Sequence, residues 1–190
     1  MTRKNFVLDT NVLLYDPEAL EKFKGNDVFL PLVVLEDLNR QKKLTTELGK
    51  NARIALRLID DFKKTCPGDI HNGLKAPNDV TIFIKTETGS GKPPLSPSSS
   101  SNRAIIAAHF LKQDENKTPI FVSKNFVARI KAELLGIEAE DYESLKFSYD
   151  DMPRGMREIE VDKSVIDTFY KDGKVDIDVS PNFPNEYFLL

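Results

Sequence analysis

The chain has 190 residues, of which 40% are hydrophobic and 30% are charged, as is typical of a globular protein rather than a disordered or fibrous one. Its 27 basic and 30 acidic side chains give a net charge of −3, so any binding of nucleic acid requires a local basic patch. The single cysteine, Cys66, excludes an internal disulfide framework and a cysteine-built zinc site.

The first third of the chain alternates short apolar runs with amphipathic segments. The run 6–8 predicts a buried strand that ends at Asp9, and the run 28–30 predicts a second strand. A helix is predicted over 32–43, and apolar residues at three- and four-residue spacing predict another over 48–62.

The next segment is different in composition. Residues 80–84 predict a strand that forms one arm of a hairpin, and the Gly-, Pro- and Ser-rich stretch 86–101 predicts a flexible surface loop. Within that stretch, Gly89–Lys92 resembles a phosphate-binding loop. Thr86 and Pro93 occupy the positions where that motif needs a glycine and a serine or threonine, so we reject it.

Strands and helices alternate again after the loop. The predicted elements are helix 102–112, strand 119–122, a helix from Asn125 and strand 137–139. In the helix from Asn125, Val127, Ile130 and Leu134 are predicted to face the core, and Gly136 to end the helix. This alternation predicts an α/β fold with a parallel sheet that is covered on both faces.

Residues 146–190 predict a β-rich C-terminal extension to a domain over 1–145. Residues 156–161 and 175–179 alternate polar and apolar side chains as half-exposed strands do, and a short helix is predicted over 163–170. The apolar end, 187–190, favours a longer parent protein.

The polar residues with candidate chemistry follow the predicted strands, where ligands gather in open parallel sheets. Asp9 ends the first strand, 123–125 end the strand at 119–122, and 101–103 open a helix. Glu36 follows a nearly unbroken apolar stretch, so its carboxylate needs a paired charge or a metal. Carboxylates without histidine or cysteine partners suit Mg²⁺ or Mn²⁺, although an acid after a strand is more often a helix cap.

Two motifs carry a family resemblance. Val7–Leu13 (VLDTNVL) resembles the opening motif of the PIN-domain nuclease superfamily, and Leu32–Asn39 (LVVLEDLN) resembles its second acidic motif. The chain is more similar still to the PIN module that precedes a PhoH-type ATPase. The further segments that resemble this subgroup are 51–53, 102–105, 123–125, 129–133 and 183–187.

This resemblance implies a three-layer α/β/α sandwich that cuts single-stranded RNA with Mg²⁺ or Mn²⁺ held by three or four acids. Asp9 and Glu36 match the first two acids, whereas Ser101 and Asn125 stand where the third and fourth are expected. Two carboxylates bring about −2 and suit one divalent cation at best, because serine and asparagine are neutral ligands.

Two polar residues near these positions have open roles. Asn11 could hold the Asp9 carboxylate, and Ser123 could bond a carboxylate or a bound water. Both could equally satisfy backbone groups in turns.

Basic residues offer a local RNA-binding patch. Arg103 and Lys124 neighbour site positions, and a helix stripe with Arg40 and Arg53 is a further candidate. A charged helix face is also commonly just solvated.

The leading hypothesis is a metal-dependent ribonuclease of the PIN class with a weakened site at Asp9 and Glu36. Its rival is a catalytically impaired PIN module that binds RNA or docks a partner, and a small-molecule α/β domain is the third. Expected partners are single-stranded RNA, a PhoH-type ATPase domain in the parent chain and a second copy of the chain. The sequence has no secretory signal and no apolar run of about 18 residues, which favours a cytoplasmic protein without a membrane association.

Overall fold

The computed structural model describes residues 3–70, 72–115, 117–142, 156–158, 161–175 and 187–189. The chain forms two compact units, Met1–Lys146 and Phe147–Leu190. The main sheet and the candidate site lie in the first unit.

The first unit is built on a seven-stranded mixed sheet with the order β3-β4-β5-β2-β1-β6-β7. The strands are β1 Asn5–Leu8, β2 Asp27–Pro31, β3 Gly68–Asp69, β4 Gly73–Ala76, β5 Val80–Lys85, β6 Pro119–Val122 and β7 Glu138–Glu140. The five strands from β5 to β7 in this order are parallel, whereas β4 is antiparallel to both of its neighbours.

The parallel sheet predicted from the sequence is therefore confirmed, except at one edge. The connection from β4 to β5 is the three-residue 3₁₀ turn Pro77–Asp79, which is too short to cross the sheet. Strand β5 is thus both an arm of the predicted hairpin and a parallel neighbour of β2.

Five helices cover the sheet of this unit within the described residues. They are α1 Thr10–Tyr15, α2 Leu32–Gln41, α3 Glu47–Thr65, α4 Ser100–Asp114 and α5 Phe126–Leu134. Helices α1, α2 and α3 pack against one another, and α4 packs against α5. Because the chain reverses its direction across the sheet after β5, the right-handed rule for parallel crossovers assigns these two groups to opposite faces. The result is the predicted α/β/α arrangement, with α1 in a segment that the sequence indicates only as a polar turn.

The core lies along the central parallel strands. Leu8, Leu30 and Val122 are fully buried, because strands covered on both faces have no solvated side. Phe29 stacks on Phe83 of β5 with ring centroids 4.8 Å apart, which joins neighbouring strands through their side chains.

The loop between β5 and α4 has no regular secondary structure but contacts its surroundings at several points. Glu87 accepts a hydrogen bond from the Val33 N–H (2.8 Å), the Ser90 N–H donates to Asp114 (2.9 Å), and Leu95 packs against the core. The flexibility that the composition predicts for this loop stays a prediction.

Helix α5 corrects the sequence-based assignment of its inner face. The prediction that Val127, Ile130 and Leu134 face the core is wrong, because all three are exposed, Leu134 by 81%. The buried residues of the helix are Ala128 and Ala132. Small side chains bring this helix close to the sheet, and periodicity alone cannot tell that alanine face from an apolar stripe turned to solvent.

The second unit contains two short strands and one helix in its described part. Strand β8, Met156–Glu158, pairs in parallel with β9, Tyr187–Leu189. Helix α6, Lys163–Asp172, lies where the sequence predicts a helix and ends at Gly173, whose φ of 72° is left-handed. Most of the strand predicted at 175–179 lies outside the described residues. None of the described helices is long and apolar enough to cross a membrane.

The reassigned face of α5 gives a stability prediction. Ala132→Leu forces a larger side chain into a closed contact and is expected to lower the free energy of unfolding by about 1–3 kcal/mol. Leu134→Gln, on the solvent side, is expected to change it by less than about 0.5 kcal/mol. Urea unfolding of both variants, followed by far-ultraviolet circular dichroism, measures these values. A larger loss for Leu134→Gln than for Ala132→Leu would restore the assignment made from periodicity.

Candidate functional site

Asp9 lies at the carboxyl end of the central strand β1 and is 1% exposed. Its N–H donates to the Val122 carbonyl of β6 (3.0 Å), which continues the pairing of the two strands to this residue. Asp9 is also the N-cap of α1, since its Oδ1 accepts a hydrogen bond from the Thr10 N–H (2.8 Å). The cap role and the site position that the sequence leaves as alternatives therefore coincide in one residue.

The second oxygen of the same carboxylate accepts three side-chain hydrogen bonds. Oδ2 of Asp9 is 2.8 Å from Asn11 Nδ2, 2.8 Å from Ser123 Oγ and 2.9 Å from Ser101 Oγ. The donors come from α1, from the end of β6 and from the first turn of α4. The structure thus brings together four of the residues singled out in the sequence.

Asn11 and Ser123 hold the carboxylate and also satisfy the turns around it. The Asn11 Oδ1 accepts from the Lys124 N–H (2.9 Å), and the Ser123 Oγ accepts from the Asn125 N–H (3.0 Å). The two roles considered for these side chains are both present, because each side chain has more than one bonding group.

Burial and hydrogen bonding act in opposite directions on Asp9. Burial is the larger influence and raises the pKa of the carboxyl above its ordinary value, while the bonds from Ser123, Ser101, Thr10 and Asn11 lower it. Burying the Asp9 carboxylate costs desolvation free energy, and neutral hydrogen-bond donors offset part of that cost.

Glu36 lies on the first half of α2 and is directed to an arginine. Its Oε2 is 2.8 Å from Arg103 Nη1, and the other guanidinium nitrogen, Nη2, is 2.8 Å from Glu87 Oε2. Arg103 follows Ser101 on the first turn of α4, so this turn contacts both Asp9 and Glu36. The side chain of Glu36 is 52% exposed, which leaves it partly accessible to solvent.

Glu87 is the member of this group that sequence reasoning missed. It joins the β5–α4 loop to Arg103 and to the start of α2. Glu87 lies in a Gly-, Pro- and Ser-rich stretch, where no sequence pattern indicates a functional residue. Its contacts with Arg103 and Val33 depend on the path of the loop.

Asn125, like Asp9, caps a helix with its side chain. Its Oδ1 accepts from the Val127 N–H (3.0 Å) and from the Ala128 N–H (3.3 Å), which makes it the N-cap of α5. The side-chain oxygen that a cation would need is therefore used by the helix.

Asp37, next to Glu36, is the buried carboxylate of α2. Its Oδ2 accepts a hydrogen bond from Thr10 Oγ1 (3.2 Å), and Arg40 forms an ion pair with it. The sequence indicates this burial, because consecutive helix residues are turned by about 100°. Asp37 therefore faces inward when Glu36 faces the surface.

The predicted basic residues divide into two groups. Arg53 donates to the carbonyls of Lys42 (2.7 Å) and Leu44 (3.1 Å) after α2, and Arg40 is paired with Asp37. Lys124 instead lies beside the site, with its Nζ 3.5 Å from the ring centroid of Tyr15.

The donor set tests whether a divalent cation fits. Within the part of the chain that the structure describes, no three His, Cys, Asp or Glu side chains form a possible metal-binding group. Asp9 is bonded by O–H and N–H donors, and Glu36 is paired with Arg103. Mg²⁺ and Mn²⁺ need several oxygen lone pairs directed at one point, so these residues as arranged do not fit either ion.

The opposing influences on Asp9 give a pH prediction. With its folded pKa raised above 3.8, the native state holds this proton to higher pH than the unfolded state, so ionisation of Asp9 reduces stability as pH rises from 3.8 to the raised pKa. The Asp9→Asn variant does not lose stability in this way, because its amide does not ionise. The stability of the original protein relative to this variant is therefore expected to fall across that window and then stay constant. Urea unfolding of both proteins at a series of pH values measures the difference, and a relative gain with rising pH would contradict the dominance of burial.

Comparisons with known proteins agree with the motifs. The family model described as PIN domain matches residues 6–143. Protein PhoH2 of Bacillus subtilis (strain 168) is 31% identical over 199 aligned positions, which cover 98% of this chain and 45% of that protein. Protein PhoH2 of Mycolicibacterium smegmatis is 31% identical over 188 positions, with 95% and 41% covered. The chain thus spans less than half the length of these curated relatives.

Among solved structures, a PilT N-terminus domain protein from Sulfolobus solfataricus P2 aligns with a TM-score of 0.45 and 13% identity over 79% of this chain and 97% of that one. The family match extends over more than two thirds of the chain and includes β1, α2, α4 and β6, which carry the described site. The resemblance found in the sequence is confirmed, and the chain belongs to the PIN domain family.

Proposed function

We propose that this chain is a catalytically impaired PIN module, whose carboxylate centre is held together by its own side chains rather than by a divalent cation, and which binds single-stranded RNA. Of the two leading hypotheses drawn from the sequence, the geometry favours the impaired module over the active ribonuclease. RNA as the proposed ligand is supported by the resemblance to the PIN-domain nuclease superfamily.

The observation that carries this proposal is the hydrogen bond from Ser101 to Asp9. At this position the family resemblance leads one to expect an acid, which would place a second carboxylate against Asp9. Two carboxylates in such contact repel each other unless a cation or a proton lies between them. A serine hydroxyl at 2.9 Å removes that requirement, because it donates directly to the carboxylate.

The ion pairs of Arg103 support the same conclusion for the second acid, Glu36: its charge is stabilised without a divalent cation. The Arg103 guanidinium bonds Glu36 and Glu87 through separate nitrogens, so a permanent positive charge already offsets one of the two negative charges at this edge. An incoming cation would have to displace Arg103 from Glu36 and would still find only two of the four expected acids. Asn125 at the fourth position is engaged in capping α5.

Lys124 is the predicted basic residue best placed for phosphate. It follows Ser123, its N–H is held by Asn11, and both of those residues bond Asp9. Arg103 is mainly occupied by carboxylates, and Arg40 and Arg53 are bonded within the fold. The position of Lys124 beside the Asp9 centre is the reason why we propose it as a contact with the RNA backbone.

A residual metal-dependent endoribonuclease is the second candidate. It is favoured by the fact that Asp9 and Glu36 both contact the first turn of α4, and that Glu36 is half exposed. In that case Glu36 would have to leave Arg103, and Asn125 the N-terminus of α5, before either could hold Mg²⁺ or Mn²⁺ together with Asp9 and Ser101.

A PhoH-type ATPase domain remains the proposed partner in a longer parent chain. The PhoH2 relatives are more than twice as long as the region that this chain matches, so they contain a further segment outside it. In this proposal residues 146–190 act as an extension or linker between the PIN domain and that segment.

Restoring the missing acids tests the proposal. The original chain is expected to show the same melting temperature in EDTA and in millimolar Mn²⁺, and to leave labelled single-stranded RNA uncut. Ser101→Asp/Asn125→Asp is expected to melt at a lower temperature in EDTA, because the carboxylate added at position 101 faces Asp9, and to regain stability with Mn²⁺. Mn²⁺ titration calorimetry should show at least about tenfold tighter binding by this double variant, since two charged ligands are added.

Two controls separate the positional assignment from a general charge effect. Ser100→Asp adds a carboxylate to the same first turn of α4, and we expect it to gain no Mn²⁺ dependence. Asp9→Ala in the double variant should abolish any cleavage that the restored acids confer. Mn²⁺-dependent cleavage by the original chain that Asp9→Ala removes would establish the residual ribonuclease instead. A double variant without tighter Mn²⁺ binding would show that Ser101 and Asn125 do not occupy the acid positions.

A further inference from the structure

One of the acids beside the carboxylate centre is supplied by a loop. Glu36 lies on α2 and Arg103 on α4, whereas Glu87 belongs to the connection between β5 and α4, which has no regular secondary structure. The side chain of Glu87 is nevertheless only 15% exposed. Of these three charged residues, Glu87 is therefore the one that can leave its place without the unfolding of a helix.

Both oxygens of the Glu87 carboxylate accept hydrogen bonds, and the donors belong to different helices. Oε1 accepts from the Val33 N–H at the start of α2 (2.8 Å), and Oε2 accepts from Arg103 Nη2 on α4 (2.8 Å). Pro31, which precedes α2, makes no capping bond with its side chain, so Glu87 supplies a cap that the local sequence lacks. Glu87 thus attaches the loop to α2 and to α4 at the same time.

Neighbouring contacts fix the path of the loop around Glu87. The hydroxyls of Thr86 and Thr88 bond to each other (2.7 Å), which holds the chain on either side of Glu87. Gly89 then passes so close to α4 that a Cβ atom at this position would overlap the ring of Phe110. Phe110 is buried in a close-packed interior and has little room to move aside. The loop can therefore follow this path only with a glycine at position 89.

The position of Glu87 also decides the charge of the edge between α2 and α4. Arg103 bonds Glu36 through Nη1 and Glu87 through Nη2, so the three residues have a net charge of −1 and repel a polyanion. When Glu87 leaves, the Arg103–Glu36 pair is neutral and Nη2 of Arg103 regains its donors. A phosphate oxygen can then replace the Glu87 carboxylate on Nη2, because both are anionic acceptors of guanidinium hydrogen bonds.

We propose that Glu87 is an autoinhibitory latch, which closes the β5–α4 loop over the edge between α2 and α4 and withholds Arg103 from the phosphates of single-stranded RNA. The RNA backbone competes with Glu87 for Arg103, and the segment 86–89 moves away as the RNA binds. A purely structural cap is the alternative, and it predicts that the loss of Glu87 leaves RNA binding no tighter. This inference rests on the proposed function, since it specifies how the access of RNA is regulated.

Binding of a fluorescein-labelled decauridine RNA to the full chain in EDTA, measured by anisotropy, tests the latch. Glu87→Gln keeps an oxygen for the Val33 N–H but loses the negative charge, and we expect it to bind the RNA about fivefold more tightly. Glu115→Gln is the matched control. It removes the same charge at the far end of α4, where Glu115 pairs with Lys85, and should leave the affinity within about twofold.

Gly89→Ala is expected to open the latch without a change of charge. Its Cβ would overlap Phe110, so the loop has to move away from α4, and we expect tighter RNA binding, as for Glu87→Gln. Because both substitutions release the same contact, the double variant should bind RNA no more tightly than Glu87→Gln alone. Effects of the two substitutions that add up would contradict a single latch.

Hydrogen exchange at the Val33 amide, followed by NMR, reports the latch without RNA. Glu87→Ala removes the acceptor of this amide, which is expected to exchange about fivefold faster than in the original chain. The amide of the buried Leu38 in the same helix is the control and should keep its rate. Equal rates at Val33 in the two proteins would show that Glu87 does not hold the loop to α2.

The outcomes separate this inference from the proposed function. If the original chain binds decauridine and Glu87→Gln binds it no more tightly, the latch is overturned and the RNA ligand stands. Binding by Glu87→Gln but not by the original chain would support both. If neither protein binds decauridine, the latch and the RNA ligand both fail, whereas the Mn²⁺ titrations still decide the state of the carboxylate centre.

Discussion

The structure depends on a carboxylate that is buried at the end of its central strand. Asp9 has almost no contact with solvent, so its charge must be balanced by groups that the fold supplies. The four donors come from Thr10, Asn11, Ser101 and Ser123. Because these residues belong to three distant segments of the chain, satisfying this one carboxylate also sets how α1, α4 and the end of β6 meet.

This constraint explains how the neutral residues Ser101 and Asn125 fit at this edge of the sheet. An acid facing Asp9 would couple the order of the site to a cation, whereas Ser101 replaces repulsion with a hydrogen bond. Asn125 is a similar case, because asparagine caps a helix as well as aspartate does. Arg103 balances the exposed acid Glu36 and, through Glu87, attaches the long loop to the same edge. Ser101 and Asn125 therefore bring no charge to the site and satisfy hydrogen bonds within the fold.

The segment that follows β6 places buried and exposed side chains next to one another beside the centre. Residues 123–126 run from a buried serine, through a partly exposed lysine and a capping asparagine, to an exposed phenylalanine. The serine and the asparagine satisfy bonds within the fold. Lys124 and Phe126 lie beside a centre whose charge is already stabilised from within by Asn11, Ser101 and Ser123.

The sequence by itself determined the order of the main strands and helices apart from α1, β3 and β4, the α/β class, the family and several of the residues around Asp9. These follow from local periodicity and from short motifs, which depend on neighbouring residues only. The tertiary structure decided the rest. It turned the apolar stripe of α5 outward because alanines pack against the sheet, made the sheet antiparallel at one edge because a connection is short, and buried Asp37 rather than Glu36. It also brought Glu87 to Arg103 and Ser101 to Asp9. Which partner a carboxylate finds depends on contacts between residues that are tens of positions apart, and no local pattern encodes such a distance.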